Sequence, residues 1–272
     1  MAAGMAPTER RLGIVGAGNM GMALVRGLLK AGWVSPEGLW VSDPDPARRR
    51  ELEALGVKPA GSNAEVLAAL TIILAVKPQM ADRVLAELAG AGSDHLFISL
   101  VAGLPLARLE EALPCARIMR AMPNTPLMVG EGVTALAPGS RATPEDLALA
   151  RELFGALGRA VVVEETHLEA VTGLSGSGPA YVAVFIEALA DGGVRMGLPR
   201  ALALELAAQT VRGTAALLLS QGLHPAVLKD QVASPGGTTI AGLHALEQGG
   251  FRGVVMDAVQ VATWRARELA RR

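Results

Sequence analysis

Residues 12–21 read Leu-Gly-Ile-Val-Gly-Ala-Gly-Asn-Met-Gly. Residues 12–15 are apolar or glycine, short enough for a buried strand, and a helical pattern begins at Met20. Between them stands Gly16-x-Gly18-x-x-Gly21. Gly16 permits a tight turn, Gly18 lets the main chain approach a pyrophosphate, and Gly21 lets the next helix lie close to the strand. The unpaired N–H groups at that helix start then face an anion. The spacing alone is weak evidence. In its strand–turn–helix setting it marks a dinucleotide loop built from Val15, Gly16, Ala17, Gly18, Asn19 and Met20.

Working outward, short apolar runs at 39–42, 71–76, 96–101 and 117–119 read as further strands, and 20–31, 46–55, 79–88 and 106–113 as the helices between them. Later strands are expected at 129–135 and 160–163, with a helix over 144–157. Wholly apolar strands separated by helices imply a mostly parallel sheet covered on both faces, hence an α/β Rossmann-type domain. After His167 the strand pattern ends. Helices are expected over 177–196, 199–221, 225–232, 238–248 and 252–271. Pro179, Pro199 and Pro225 stand near helix starts, and Gly197, Gly222 and Gly249 stand where a left-handed residue closes a helix. The expected division is therefore residues 1–167, α/β, and residues 168–272, all-α.

Composition narrows the function. The 272 residues are 51% hydrophobic but only 3% aromatic, so the apolar mass is aliphatic. That excludes disorder and argues against nucleic-acid binding by base stacking. The net charge of −1 calls for neither a polyanionic nor a polycationic partner. The single Cys115 cannot make an intrachain disulfide, which points to a reducing, cytoplasmic setting, and a free Cys is expected to be a small buried hydrophobe. The first eleven residues lack the apolar core of a signal peptide. No apolar stretch is read as reaching the ~20 residues of a membrane span.

Other edges of a nucleotide cleft follow from the rule that ligands lie beyond the carboxyl ends of the strands. The second strand ends at Ser42-Asp43. Asp43 lies 25 residues after Gly18, near the ~20 expected of the carboxylate that reads the ribose. A carboxylate there suits NADH and repels the 2′-phosphate of NADPH. Arg48, Arg49 and Arg50 either hold that phosphate or form a solvated helix face. The third strand exits through Ala75-Val76-Lys77-Pro78. Ser99–Gly103 offers small residues after the fourth strand. Asn124 and Thr125 sit in a turn bracketed by Pro123 and Pro126.

Two further glycine clusters lie in the helical half. Thr172-Gly-Leu-Ser-Gly-Ser-Gly-Pro-Ala-Tyr181 reads as a second anion-receptive helix start, with Ser175 and Ser177 as hydroxyl donors, and it holds the only tyrosine. Ser234-Pro-Gly-Gly-Thr-Thr239 opens another helix, and the N–H groups of Gly237, Thr238 and Thr239 suit a carboxylate.

Taken together, Gly16-Ala-Gly18-Asn-Met, Ala75-Val-Lys77-Pro78, Asn124-Thr125-Pro126, Val171–Tyr181, Ala190-Asp-Gly-Gly-Val, Met196-Gly-Leu-Pro199, His224-Pro and Ser234–Thr239 closely resemble the pyrroline-5-carboxylate reductase family, over about residues 11–269. The 174–181 and 234–239 blocks are the family-specific ones. The resemblance implies reduction of a cyclic imine carboxylate to L-proline by hydride from NADPH or NADH. It implies carboxylate binding at Gly237, Thr238 and Thr239, with the Thr239 hydroxyl acting near the ring nitrogen. It places Glu165 near the substrate, with Glu164 and Glu169 as rivals, and Asn63 near the adenosine. It further implies a homo-oligomer: two chains interlocked through the helical dimerisation domain, and in some members a ring of dimers. Related enzymes preferring NADPH often carry a small hydroxyl residue where Asp43 stands.

Two other readings compete. A β-hydroxyacid dehydrogenase needs a general acid/base, commonly a lysine on the long helix of the second domain. The 177–196 stretch has none, and the four histidines form no triad or metal spacing. A dinucleotide-sensing regulator is the non-enzymatic alternative, and the intact 234–239 block argues against it.

Overall fold

The computed structural model describes residues 6–270. Its first compact unit is built on a seven-stranded sheet of order β2-β1-β3-β4-β5-β6-β7. The strands are β1 (Leu12–Val15), β2 (Leu39–Ser42), β3 (Thr71–Leu74), β4 (Leu96–Ser99), β5 (Arg117–Met122), β6 (Gly132–Pro138) and β7 (Gly158–Val162). β1 to β5 are parallel; β6 runs antiparallel to β5 and parallel to β7. Helices α1 (Asn19–Lys30), α2 (Pro46–Ala54), α3 (Ala81–Glu87), α4 (Leu106–Ala112) and α5 (Pro144–Gly155) accompany it. This is the mostly parallel, Rossmann-type sheet expected from the apolar strands.

Both faces of the sheet are covered, which is why its strands are continuous apolar runs. Alternate residues enter opposite cores. Leu12, Ile14, Ile73, Ile98 and Met119 meet side chains of α1 and α5. Val15, Ile72, Leu74, Phe97 and Ile118 meet those of α3 and α4. The start of α5 is fixed by a capping box between Thr143 and Asp146, and Asp146 also accepts from Arg117 Nε at 2.8 Å.

The second unit holds α7 (Gly178–Arg195), α8 (Arg200–Gln221), α9 (Pro225–Val232), α10 (Thr238–Gln248) and the first half of α11 (Phe251–Ala270). Short α6 (Leu168–Val171) precedes α7 and belongs to the first unit. Ala190, Ala203 and Ala207 bury the α7–α8 seam. Small side chains bring the two helix axes close, which is the use found for the aliphatic composition.

Several expected boundaries shift. The compact units divide at Ser177/Gly178, where the sequence suggested 167, and described residues 261–270 are grouped with the first unit. The reason lies at Gly103, whose φ is 75° and where a Cβ would crowd the Ala270 nitrogen at 3.1 Å, so that the end of α11 lies against the exit of β4. β6 starts at 132, not 129, because Thr125–Val129 winds into a 3-10 turn closed by Gly130 at φ 80°. The left-handed closing residue of α10 is Gly250 (φ 67°) rather than Gly249. Cys115 is exposed, not buried; it lies in the turn between α4 and β5, outside both cores.

α8 corrects the reading that no stretch is long and apolar enough to span a membrane. It has 22 residues and an 18-residue window of mean hydropathy 1.3. Leu202, Leu204, Leu206 and Leu219 are exposed on it, Leu219 at 73%. A helix apolar on several sides requires cover on several sides, and α7 supplies it on one.

Candidate functional site

The loop after β1 is shaped by two close approaches. Gly16 has φ 98°, and a Cβ on it would stand 2.7 Å from the Ala75 carbonyl oxygen. A Cβ on Gly21 would stand 1.9 Å from the Gly16 carbonyl oxygen, so α1 begins directly against the turn. Gly18, the residue before α1, is exposed and faces open space. No side chain caps α1. Its first N–H groups, which have no partner within the helix, are left for an external anion. A pyrophosphate fits this cradle, and a side chain at Gly18 would fill it.

The edges expected from sequence converge there. The Gly16 N–H donates to Ser42 O at 2.9 Å and the Ala75 N–H to Val15 O at 2.8 Å, so the ends of β1, β2 and β3 meet at the loop. The sheet order reverses direction between β1 and β3, making this the switch point where such sheets bind ligands. Asp43 Oδ2 accepts the Ala17 N–H at 2.6 Å, and its Oδ1 accepts the Asp45 N–H at 2.9 Å. The carboxylate expected to read a ribose therefore also staples the phosphate loop to β2. Ser42 Oγ donates to Asn63 Oδ1, and Asn63 Nδ2 donates to Glu87 Oε2 at 2.6 Å. The Arg83 guanidinium, then the Asn63 amide, hold the Glu87 carboxyl below its ordinary value.

Arg48 lies on the α2 surface beside the loop. It donates to Glu51 at 3.0 Å and to Asn19 Oδ1 at 3.3 Å. Hydrogen bonds from Arg26 and then Arg48 hold the Glu51 carboxyl below its usual range. Val76 is half-buried, and Lys77 and Pro78 are exposed at the exit of β3. Asn124 is buried and its Oδ1 accepts the Val133 N–H at 2.9 Å, so that oxygen is committed to the start of β6.

At the carboxyl ends of β4 and β5 a cavity of about 210 Å³ opens within the first unit. Arg120, whose side chain is 8% exposed, lies on its wall. Sequence reading passed over this residue, although a cation inside the apolar run of β5 was a visible anomaly. Arg120 Nη1 donates to Glu165 Oε1 at 2.9 Å and pairs with Glu169 Oε1 at 3.7 Å. Glu165 Oε1 also accepts the Leu106 N–H at the start of α4, at 2.6 Å.

The 172–181 block is not an open helix start. Thr172–Gly176 is a π-turn continuing α6. The Ser177 N–H is spent on Thr172 O and the Ser175 hydroxyl on Val171 O. Tyr181 donates to Ala258 O at 3.4 Å inside the second unit, a packing role.

In the second unit, Gly237 precedes α10 in extended conformation (φ −81°, ψ 176°) with no side-chain cap. The turn before it is tight: the Gly237 N–H donates to Ser234 O, and Gly236 has φ 66°. The N–H groups of Thr238 and Thr239 lie in the first turn of α10, where no intrahelical acceptor exists, and Thr239 is half-buried. By contrast the start of α9 is closed by its own cap, the Ala226 N–H donating to His224 Nδ1. Of these helix starts, α1 and α10 remain receptive.

The family model for pyrroline-5-carboxylate reductase dimerisation matches residues 165–269, and that for coenzyme F420-dependent NADP oxidoreductase matches residues 11–103. A pyrroline-5-carboxylate reductase of Synechocystis is 48% identical over 96% of this chain and 99% of its own length. Among solved structures, a pyrroline-5-carboxylate reductase from Coxiella burnetii superposes with TM-score 0.88 at 34% identity, covering 96% of this chain and 98% of that one. The pyrroline carboxylate reductase of Plasmodium falciparum, solved with NADP bound, does so with TM-score 0.87 at 33% identity, covering 98% and 100%.

The close approach at the loop makes a direct prediction. Gly21→Ala forces α1 away from β1, so binding of reduced nicotinamide nucleotide, followed by its fluorescence, should weaken at least about tenfold while far-UV circular dichroism is retained. Unchanged affinity contradicts the assignment of the loop.

Proposed function

The chain belongs to the pyrroline-5-carboxylate reductase family, and we propose from this premise how its residues divide the work. The reaction is reduction of L-1-pyrroline-5-carboxylate to L-proline. The bound nicotinamide nucleotide supplies hydride to the imine carbon, and a proton ends on the ring nitrogen, so imine, reduced nucleotide and one proton give proline and oxidised nucleotide. An iminium is already electrophilic, so the protein's task is positioning; holding two reactants in attack geometry can supply up to ~7–11 kcal/mol.

The observation that carries this reading is that the glycine turns at 16–18 and 236–237 each lead into a helix start without a side-chain cap. That of α1, reached through Gly16–Met20, suits a pyrophosphate, and that of α10 suits a carboxylate. The N–H groups of Thr238 and Thr239 anchor the substrate carboxylate; that of Gly237, expected to join them, is spent on Ser234 O. The Thr239 hydroxyl, able both to donate and to accept, orients the ring nitrogen and passes it a proton from water. Glu165, also expected at the substrate, has its Oε1 committed to the Arg120 guanidinium and the Leu106 N–H. Ser42, Asp43, Asn63, Ala75, Val76, Lys77, Pro78 and Asn124 frame the nucleotide. Asp43 sets a preference for NADH, because a 2′-phosphate beside it meets a fixed negative charge. A preference for NADPH is the second reading, favoured by the NADP held in the Plasmodium neighbour.

The exposed leucines of α8 and the dimerisation family model support a homodimer in which a second copy interlocks with the helical unit. An exposed free thiol at Cys115 suits a reducing cytoplasm.

One assay tests the chemistry. Oxidation of NADH with pyrroline-5-carboxylate should be readily measurable, and Thr239→Ala should lower kcat more than about tenfold with the fold intact; an unchanged kcat removes Thr239 from the reaction. A kcat/KM at least about tenfold higher with NADPH overturns the role given to Asp43. Sedimentation should give at least twice the chain mass of 28.0 kDa, and a monomer of that mass contradicts the interlocked dimer.

A further inference from the structure

A chain of side-chain hydrogen bonds leads away from the end of β2 and crosses three elements. Ser42 Oγ donates to Asn63 Oδ1, Asn63 Nδ2 donates to Glu87 Oε2 at 2.6 Å, and Arg83 Nε donates to Glu87 Oε1 at 2.9 Å. Ser42 closes β2, Asn63 precedes a 3-10 turn over Ala64–Ala68, and Glu87 is the last residue of α3. An Asn before a helical turn ordinarily spends its side-chain oxygen on the free N–H groups of that turn. Asn63 caps nothing; the Ser62 hydroxyl accepts the Glu65 N–H instead, at 3.3 Å. The Asn63 amide is thereby released toward the strand. Its backbone is held in place: the Val66 N–H donates to Asn63 O at 3.1 Å, the Ala60 N–H donates to Val41 O at 2.8 Å, and Val66 is fully buried.

Glu87 decides which way round that amide stands. Hydrogen bonds from Arg83 and then Asn63 hold its carboxyl below the usual range, so at neutral pH it is ionised and can only accept. Nδ2 must face it, and Oδ1 is left to the Ser42 hydroxyl. Ser42 alone does not choose, because a hydroxyl serves either end of an amide. The tie does little to hold the fold: the Arg83 and Glu87 side chains are 74% and 39% exposed, and exposed charged contacts contribute little to stability. Its consequence is chemical. One Asn63 N–H is spent on Glu87, and among the described residues nothing takes the other, which stays available beside the end of β2. The neighbouring Asp43 carboxylate offers only acceptor sites; the Ala17 and Asp45 N–H groups use two, and its remaining lone pairs are open. A sugar hydroxyl is satisfied when it donates to one partner and accepts from another. Asp43 supplies the acceptor and Asn63 the donor. An amide turned the other way sets a second acceptor there instead.

We propose that Glu87 is a positioning residue of the nucleotide site: it fixes the Asn63 amide so that a hydrogen-bond donor, and not an acceptor, stands beside Asp43 for the adenosine ribose. This rests on the nucleotide reading above and deepens it. Glu87 acts only through Asn63 and takes no part in hydride transfer. Without it the amide is free to turn, and a nucleotide that binds must order it; ordering a loose side chain on binding costs affinity. With it, the amide is set before the nucleotide arrives.

Fluorescence titration of the full-length chain with NADH and with NADPH gives the nucleotide Kd, and initial rates at saturating nucleotide give KM for pyrroline-5-carboxylate. Glu87→Ala should weaken the tighter-binding nucleotide at least about threefold, while KM for the imine stays within about twofold. Glu87→Gln, whose side-chain oxygen can accept the same Asn63 N–H, should recover part of the loss. The deciding variant is the double one. In an Asn63→Ala chain, adding Glu87→Ala should change the nucleotide Kd by less than about twofold, because the group through which Glu87 acts is already gone. A loss below about threefold in Glu87→Ala alone, or losses that multiply in the double variant, overturns the assignment and leaves the nucleotide site standing. A wild-type chain that binds neither nucleotide overturns the nucleotide reading itself, and this assignment with it.

Discussion

The tightest constraint in the molecule is the contact between the first turn of α1 and the turn that leaves β1. With only 1.9 Å between the Cβ position of Gly21 and the Gly16 carbonyl oxygen, no side chain is tolerated. In return, the helix starts at the very end of the strand, and its N–H groups stand where three parallel strands converge. Other features of the nucleotide edge adapt to this contact. Asp43 ties the loop to β2 through the Ala17 N–H, and the Ala75 methyl lies 3.6 Å from the Cβ position of Gly21. The partial positive charge of a helix start is strongest within the first turn. A loop displaced by one side chain would forfeit most of it.

The carboxylate site proposed at α10 would likewise bind an anion without rings or cations. The turn before α10 is built from Ser234 to Gly237 and leaves backbone donors rather than side chains at the helix start. The scarcity of aromatic residues follows from this economy and from the α7–α8 seam, where Ala190, Ala203 and Ala207 replace larger groups. The cost appears on the outside of α8, whose leucines remain exposed in a single chain. Burial of apolar surface against a second copy would return about 25 cal/mol for each Å² removed from water.

Most of the fold was legible because its signals are local. Apolar runs of strand length, proline near helix starts and the glycine loop after β1 each act within a few residues. Where reading failed, the deciding contact was distant. Nothing near Gly103 reveals that Ala270 will lie against it, so the return of α11 to the first unit was hidden. The 3-10 turn at Thr125–Val129 took residues that look like strand. Cys115 is apolar enough for a core, but the chain turns there. At the site, glycine spacing located the uncapped starts of α1 and α10 but misread 172–181, where the Ser177 N–H is spent on Thr172 O. The Arg120–Glu165–Glu169 cluster was not, because it joins β5 to residues 45 or more positions later, and the π-turn that aligns Thr172 with Ser177 has no sequence signature that periodicity can detect.

The central claim is that hydride passes from a nucleotide held at the α1 start to the imine carbon of a substrate held by its carboxylate. The most direct measurement is NMR of the proline formed from pyrroline-5-carboxylate with nucleotide deuterated at the transferable position of its reduced nicotinamide. The account predicts a single deuterium on the δ-carbon of proline, the ring carbon across the nitrogen from the one bearing the carboxylate. Proline without deuterium at that carbon, or no proline at all, contradicts it.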